Sequence, residues 1–156
     1  MTKNTAPFVF TLFSLTLLLL GPASLMAAPA ADTVKEVVDY YYNGQEEGPI
    51  LTDSKLCNGI KNLECGEALD PNAVKLGSVV DVWMQFFVPY GASYDDIIVE
   101  YKHEGVPRHL TAYTVKGSIR YRVADRYKVD KPGKWTITIK RGVASLKEFS
   151  ITVVKK

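Results

Sequence analysis

Six cations are the residues of this chain best placed to do chemistry. Arg120, Arg122, Arg126 and Lys128 fall on even positions after Ser118, and Lys134 and Lys140 follow the sequence Asp130-Lys131-Pro132-Gly133. Alternate residues of an extended strand point the same way, about 7 Å apart, so the first four form a row and the last two extend it from a neighbouring strand. A guanidinium offers a planar fork of donors that matches a carboxylate or a phosphate. The row therefore reads as a contact surface for an anionic partner: an acidic protein, a lipid phosphate or an acidic polysaccharide. The competing reading is a solvated sheet face whose charges keep neighbouring molecules from pairing edge to edge.

Other chemistries find thinner support. His103 and His109 flank an expected turn, and Glu104 or Glu100 would complete a metal site, but two histidines alone hold a metal poorly. No metal or other cofactor is expected. Asp95-Asp96 and Glu46-Glu47 read as solvated turns rather than a hydrolytic carboxylate pair, and the chain is not expected to be an enzyme. Trp83, Phe87, Tyr90 and Tyr94, with Tyr40-Tyr41-Tyr42, either line a groove for a sugar or apolar ligand or seal a sandwich end and seat an N-terminal arm.

The elements that must hold these residues follow from periodicity. Ile119, Tyr121, Val123, Tyr127 and Val129 alternate with the cations, the period of a half-buried strand. Trp135, Ile137 and Ile139 repeat it, and with Pro132-Gly133 between them the two runs predict a β-hairpin. Val80, Val82, Met84, Phe86 and Val88 form one wholly apolar face over Ser78 to Val88, which predicts a central strand; Trp83 and Phe87 on its other face need a cover. Further strands are expected over Ile50 to Ile60, Ile97 to His103, His109 to Val115 (an edge) and Lys147 to Val154, with turns at Pro89 to Ser93 and Lys116-Gly117. Seven short strands without helical crossovers define an all-β, immunoglobulin-like antiparallel sandwich. Residues 31–49 precede it as a short helix or arm, in which Thr33 and Glu36 fit a capping box.

Lys3 and the largely apolar 13-residue run Phe8 to Leu20, followed by small residues around Ala28-Pro29-Ala30, have the pattern of a secretory signal peptide. The run falls short of the roughly 20 residues a membrane span needs. The expected layout is a cleaved leader (1–30), an arm (31–49) and one sandwich domain (50–156), periplasmic or secreted, without a transmembrane anchor, and monomeric or weakly oligomeric. Cys57 and Cys65 would meet an oxidising compartment, where an even count at close spacing implies a disulfide. Export also removes the usual nucleic-acid target, so none is expected as partner. Charge is segregated: residues 31–104 carry 14 acidic and 5 basic side chains, residues 105–156 carry 3 and 13. Either the acidic half folds over the basic half and neutralises it, or the basic strands stay open to a partner.

The run Leu56-Cys57-Asn58-Gly59-Ile60, the strand through Trp83, the arginine-rich Ile119 to Arg126, Pro132-Gly133-Lys134-Trp135 and a final strand bearing Phe149 together resemble a family of uncharacterised exported bacterial domains with an immunoglobulin-like sandwich. The resemblance spans about residues 50 to 154. It implies the fold and no activity.

Overall fold

A computed structural model describes residues 30–155. The leader expected over residues 1–30 lies outside them but for its last residue. Helix α1 (Ala31–Asn43) and a 3-10 turn (Gly44–Glu46) lead into β1 (Ile50–Lys61), β2 (Glu64–Ala68), β3 (Val74–Lys75), β4 (Val79–His103), β5 (Val106–Lys128), β6 (Gly133–Arg141) and β7 (Ala144–Val154). All strand pairs are antiparallel except β3 with β7.

The frame is the long hairpin of β4 and β5, which serves both halves of the molecule. Residues 79–88 of β4 lie between β1 and residues 118–128 of β5; residues 97–103 lie between β6 and residues 106–116 of β5. The strand order β2-β1-β4-β6-β7-β3, with β5 on β4, is thus one sheet folded over on itself into an immunoglobulin-like sandwich. The expected breaks at Pro89 to Ser93 and Lys116-Gly117 are bends within continuous strands. Pro89 has no amide hydrogen to give a ladder, Gly91 takes φ +73°, and the register of β4 against β5 shifts between Val88 and Ser93 and again between Tyr94 and Ile97. These irregularities change which parity faces inward, from even positions through Val88 to odd positions from Ile97 on.

One core fills the fold. Val80, Val82, Met84, Phe86 and Val88, the face predicted to be central, are fully buried against Ile97, Val99, Tyr101, Trp135, Ile137, Ile139 and Ile151. Burial on this scale supplies most of the driving force, at roughly 25 cal/mol per Å² of apolar surface.

The predicted hairpin after Ser118 does not form. β5 pairs with β4, and β6 pairs with β4 and β7. Asp130 to Gly133, a turn by composition, carries the chain from one half of the sandwich to the other. Trp135 anchors the crossing: it is buried, and its indole N–H donates to the Lys131 carbonyl at 2.9 Å. The N-terminal arm is a helix, as its valine and tyrosine spacing suggests. It begins at Ala31 after Ala30, with no side-chain cap, so Thr33 and Glu36 lie inside it and form no capping box.

The two bends nest closely. A Cβ on Gly117 would lie 2.8 Å from the Gly91 nitrogen and 2.9 Å from the Pro89 carbonyl oxygen, both backbone atoms. Gly117→Ala is therefore expected to lower stability by about 1–3 kcal/mol. Ile119→Ala, two residues on at a side chain 70% exposed, should change it by less than about 0.5 kcal/mol. Urea unfolding of both variants measures the contrast.

Candidate functional site

Arg120, Arg122, Arg126 and Lys128 stand together on the outer face of residues 118–128, as alternation predicts. Their neighbours on β4 are fixed by register: Lys128 faces Val79, Arg126 faces Asp81, Ala124 faces Trp83 and Arg122 faces Gln85. Lys134 and Lys140 do not extend this row. They lie on β6 in the other half of the sandwich, because the chain crosses over at Asp130 to Gly133 instead of turning back.

Three of the four row residues are held by the protein's own polar groups. Arg126 donates from Nε to Asp81 Oδ1 at 2.6 Å, and its Nη2 lies 3.5 Å from Oδ2. Asp81 is buried and takes a further hydrogen bond from the Gly59 amide at 2.9 Å, so a buried carboxylate has partners at both oxygens. Asp81 also holds the Arg126 guanidinium above its ordinary pKa, chiefly through that hydrogen bond. The Arg126 side chain is nonetheless 63% exposed, with donors left for solvent. Arg122 pairs with Glu64, and Arg120 places Nη2 3.7 Å from the same Glu64 oxygen while donating from Nε to Gln85 Oε1 at 2.6 Å. Lys128 makes no ion pair among the described residues. Of the two charge readings left open by the sequence, neutralisation describes Arg120, Arg122 and Arg126, and exposure describes Lys128.

Glu64 reaches the arginines from the hairpin of β1 and β2. Cys57 and Cys65 form the disulfide inferred from their count, with Cα atoms 5.6 Å apart. It staples a hairpin whose turn places Asn62 and Leu63 at positive φ, 53° and 56°. The turn curls over the outer face of β4: the Trp83 indole donates to the Leu63 carbonyl at 2.7 Å, and Lys55 Nζ lies 5.3 Å from the Trp83 ring centre. Trp83 is buried beneath it.

The aromatic group expected around Trp83 divides in two. Trp83 belongs to the hairpin, whereas Phe87, Tyr90 and Tyr94 receive the arm. Tyr40 and Tyr41 lie 5.1 and 5.7 Å from Phe87, and Tyr41 and Tyr42 each lie 5.9 Å from Tyr90. Tyr94 donates to the Gln45 carbonyl, and Arg141 stacks over its ring at 5.3 Å. Beside this seat is a cleft of about 440 Å³, floored by Tyr40, Ile50 and Phe87 and rimmed by Glu36, Asp39 and Glu47.

The histidines are absorbed into an aromatic stack. His109 lies 4.7 Å from Tyr127, nearly parallel, with Nε2 2.8 Å from Thr111 Oγ1; His103 lies 5.0 Å from Trp135, with Nε2 2.9 Å from the Pro132 carbonyl. Glu104 accepts the Lys134 amide at 2.7 Å. Among the described residues no three His, Cys, Asp or Glu side chains gather as metal ligands.

Sequence reasoning missed one inward carboxylate. Asp125 shares the apolar face of β5 and is buried, accepting the Tyr113 hydroxyl at 2.5 Å. Its Oδ2 and the buried Tyr101 hydroxyl make no hydrogen bond. Burial first, and Asp125 second, push both tyrosine hydroxyls up, so both stay protonated. The signal was an aspartate in register with Tyr121, Val123 and Tyr127.

These features define an immunoglobulin-like β-sandwich with a helical arm and a disulfide-stapled hairpin folded over its basic strand. Among solved structures it is similar to an immunoglobulin-like protein of Pseudomonas aeruginosa (14% identity, 68% of this chain and 96% of that one, TM-score 0.49). It is also similar to a CARDB domain of Pyrococcus furiosus (13%, 69% and 96%, TM-score 0.41), and to part of a DNA-bound alkylpurine DNA glycosylase of Pseudomonas fluorescens (8%, 69% and 30%, TM-score 0.47). No family model and no curated protein matches the chain.

Away from the row, Lys140 and Lys102 both pair with the nearly buried Glu100. The hydrogen bond from Lys140 is the main cause holding the Glu100 carboxyl below its ordinary value of 4.5; burial opposes it and Lys102 adds to it. A depressed folded-state pKa gives stability that is present above 4.5 and lost as pH falls through the lowered value. Lys140→Met should therefore lose less stability than the native protein on acidification below pH 4.5, as measured by urea unfolding across that window.

Proposed function

We propose that the protein is an exported, non-enzymatic binding module of the cell envelope that holds an anionic partner on the outer face of residues 118–128. The observation that carries this reading is Glu64: a carboxylate from a hairpin tip already sits between Arg120 and Arg122. The tip is exposed, and an exposed ion pair contributes only about 0–1 kcal/mol, so a partner carboxylate or phosphate can exchange with it. Arg126, set by Asp81, and Lys128 supply further charge along the same row.

A guanidinium suits holding an anion and not proton transfer or nucleophilic attack near neutral pH. This supports binding over catalysis. The disulfide and the leader pattern support a periplasmic or secreted location, and among the described residues no helix is long and apolar enough to cross a membrane.

A second reading, a small-ligand or carbohydrate site on the aromatic residues, draws on the cleft beside Tyr40 and Phe87. The two separate by salt: screening weakens binding to the arginines steeply and leaves stacking nearly unchanged.

With polyglutamate as probe, Glu64→Gln is expected to bind about two- to fivefold tighter, having lost the internal competitor. Arg122→Glu with Arg126→Glu should bind more than about tenfold weaker while the far-UV spectrum stays native. Calorimetry at low and high salt measures both. Polyglutamate binding that survives the double reversal in a folded protein would refute the basic-face reading.

A further inference from the structure

We infer that the free edge of residues 118–128 accepts an extended segment of a partner protein, alternately acidic and apolar, as an added strand. This deepens the proposed function and rests on it.

The edge is well formed. From Tyr121 to Lys128 the strand pairs with β4 for eight consecutive positions without a register shift, and among the described residues it pairs with nothing on its other side. Every second residue of such a strand turns its amide and carbonyl away from the ladder, where another strand can take them. The segment from Ser118 to Lys128 contains no proline. Glu64 approaches from the β1 side, across the face of the sheet, and no strand covers the far edge among the described residues, although the Arg120 amide donates to Ser118 Oγ at 3.1 Å and the Ala124 carbonyl accepts the Tyr113 hydroxyl at 3.3 Å.

Both faces of this strand are unfinished. Outward stand Arg126 and Lys128, exposed, with Arg122 paired directly to Glu64 and Arg120 3.7 Å from the same carboxylate. Inward stand Tyr121, Val123 and Tyr127, only half-buried, and Ile119, 70% exposed. A strand added at about 4.8 Å would place its alternate residues beside these two sets. Acidic side chains would meet the cations, and apolar ones would complete the cover over the tyrosines.

The charge selects the occupant. A second copy of this chain pairing through the same edge would set arginine beside arginine, which is unfavourable. A lipid headgroup or a polysaccharide meets the cations but has no peptide backbone to extend the ladder. An acidic extended protein segment satisfies the cations, the half-covered apolar side chains and the open backbone groups together.

Synthetic peptides of identical composition test this on the purified protein. One alternates glutamate with valine or threonine, a second carries the same residues in separate blocks, and a third is the alternating peptide N-methylated at every second residue, made in both phases. The alternating peptide is expected to bind about tenfold tighter than the block peptide. N-methylation in one phase should abolish that advantage, and amides within residues 118–128 should gain protection from hydrogen exchange on binding. Equal affinity for alternating and block peptides, or indifference to N-methylation in both phases, would overturn the added strand while leaving the basic-face reading intact. Failure of every peptide to bind would overturn both.

Discussion

Continuity of backbone pairing along β4 and β5 is the constraint on which the structure depends. Neither strand belongs to one layer: each contributes its first part to one half of the sandwich and its second part to the other. The layers are therefore joined through the ladder itself, and the closely nested bends around Gly91 and Gly117 lie where both strands pass from one half to the other. Because β4 is the inner of the pair, it is flanked on both sides over residues 81–87 and 97–103 and carries many of the most deeply buried side chains. β5 is outermost in both halves, which is why the cations stand at a rim and not amid a sheet.

The outer face of β4 shows how a sandwich gains accessory parts. Asp81, Trp83 and Phe87 would be costly or exposed on a bare face. Each has received its own cover: Arg126 and the Gly59 amide for Asp81, the Leu63 carbonyl for Trp83, and the tyrosines of α1 for Phe87. The disulfide hairpin and the helix are thus consequences of that face as much as additions to it. Asp81 illustrates the economy: one side chain fixes the hairpin through Gly59 and orients Arg126 in the row.

The fold class and the core were legible because burial writes itself as alternation. Val80 to Val88 repeat at every second position and are buried accordingly. The route of the chain between layers was not legible. Asp130-Lys131-Pro132-Gly133 has the composition of a tight turn whether the next strand returns beside the last or crosses to the opposite layer, and only long-range pairing decides between them. Pro89 to Ser93 misled in the opposite sense, since a bend within a strand uses the same residues as a turn between strands. The cation row was readable from spacing alone. Its engagement by Glu64 and Asp81 was not, because those partners are brought in by pairings between residues more than 40 positions apart.

The Cys57–Cys65 bond links this arrangement to the chemistry of its surroundings. The sandwich interior draws mainly on β4 to β7, with Leu56 of β1 and Val74 of β3, and takes no residue from the turn of the β1 and β2 hairpin, while the covering of Trp83 and the placing of Glu64 depend on that tip. The bond thus ties the position of a carboxylate beside two arginines to the redox state of two thiols, a link that the apolar interior alone would not make.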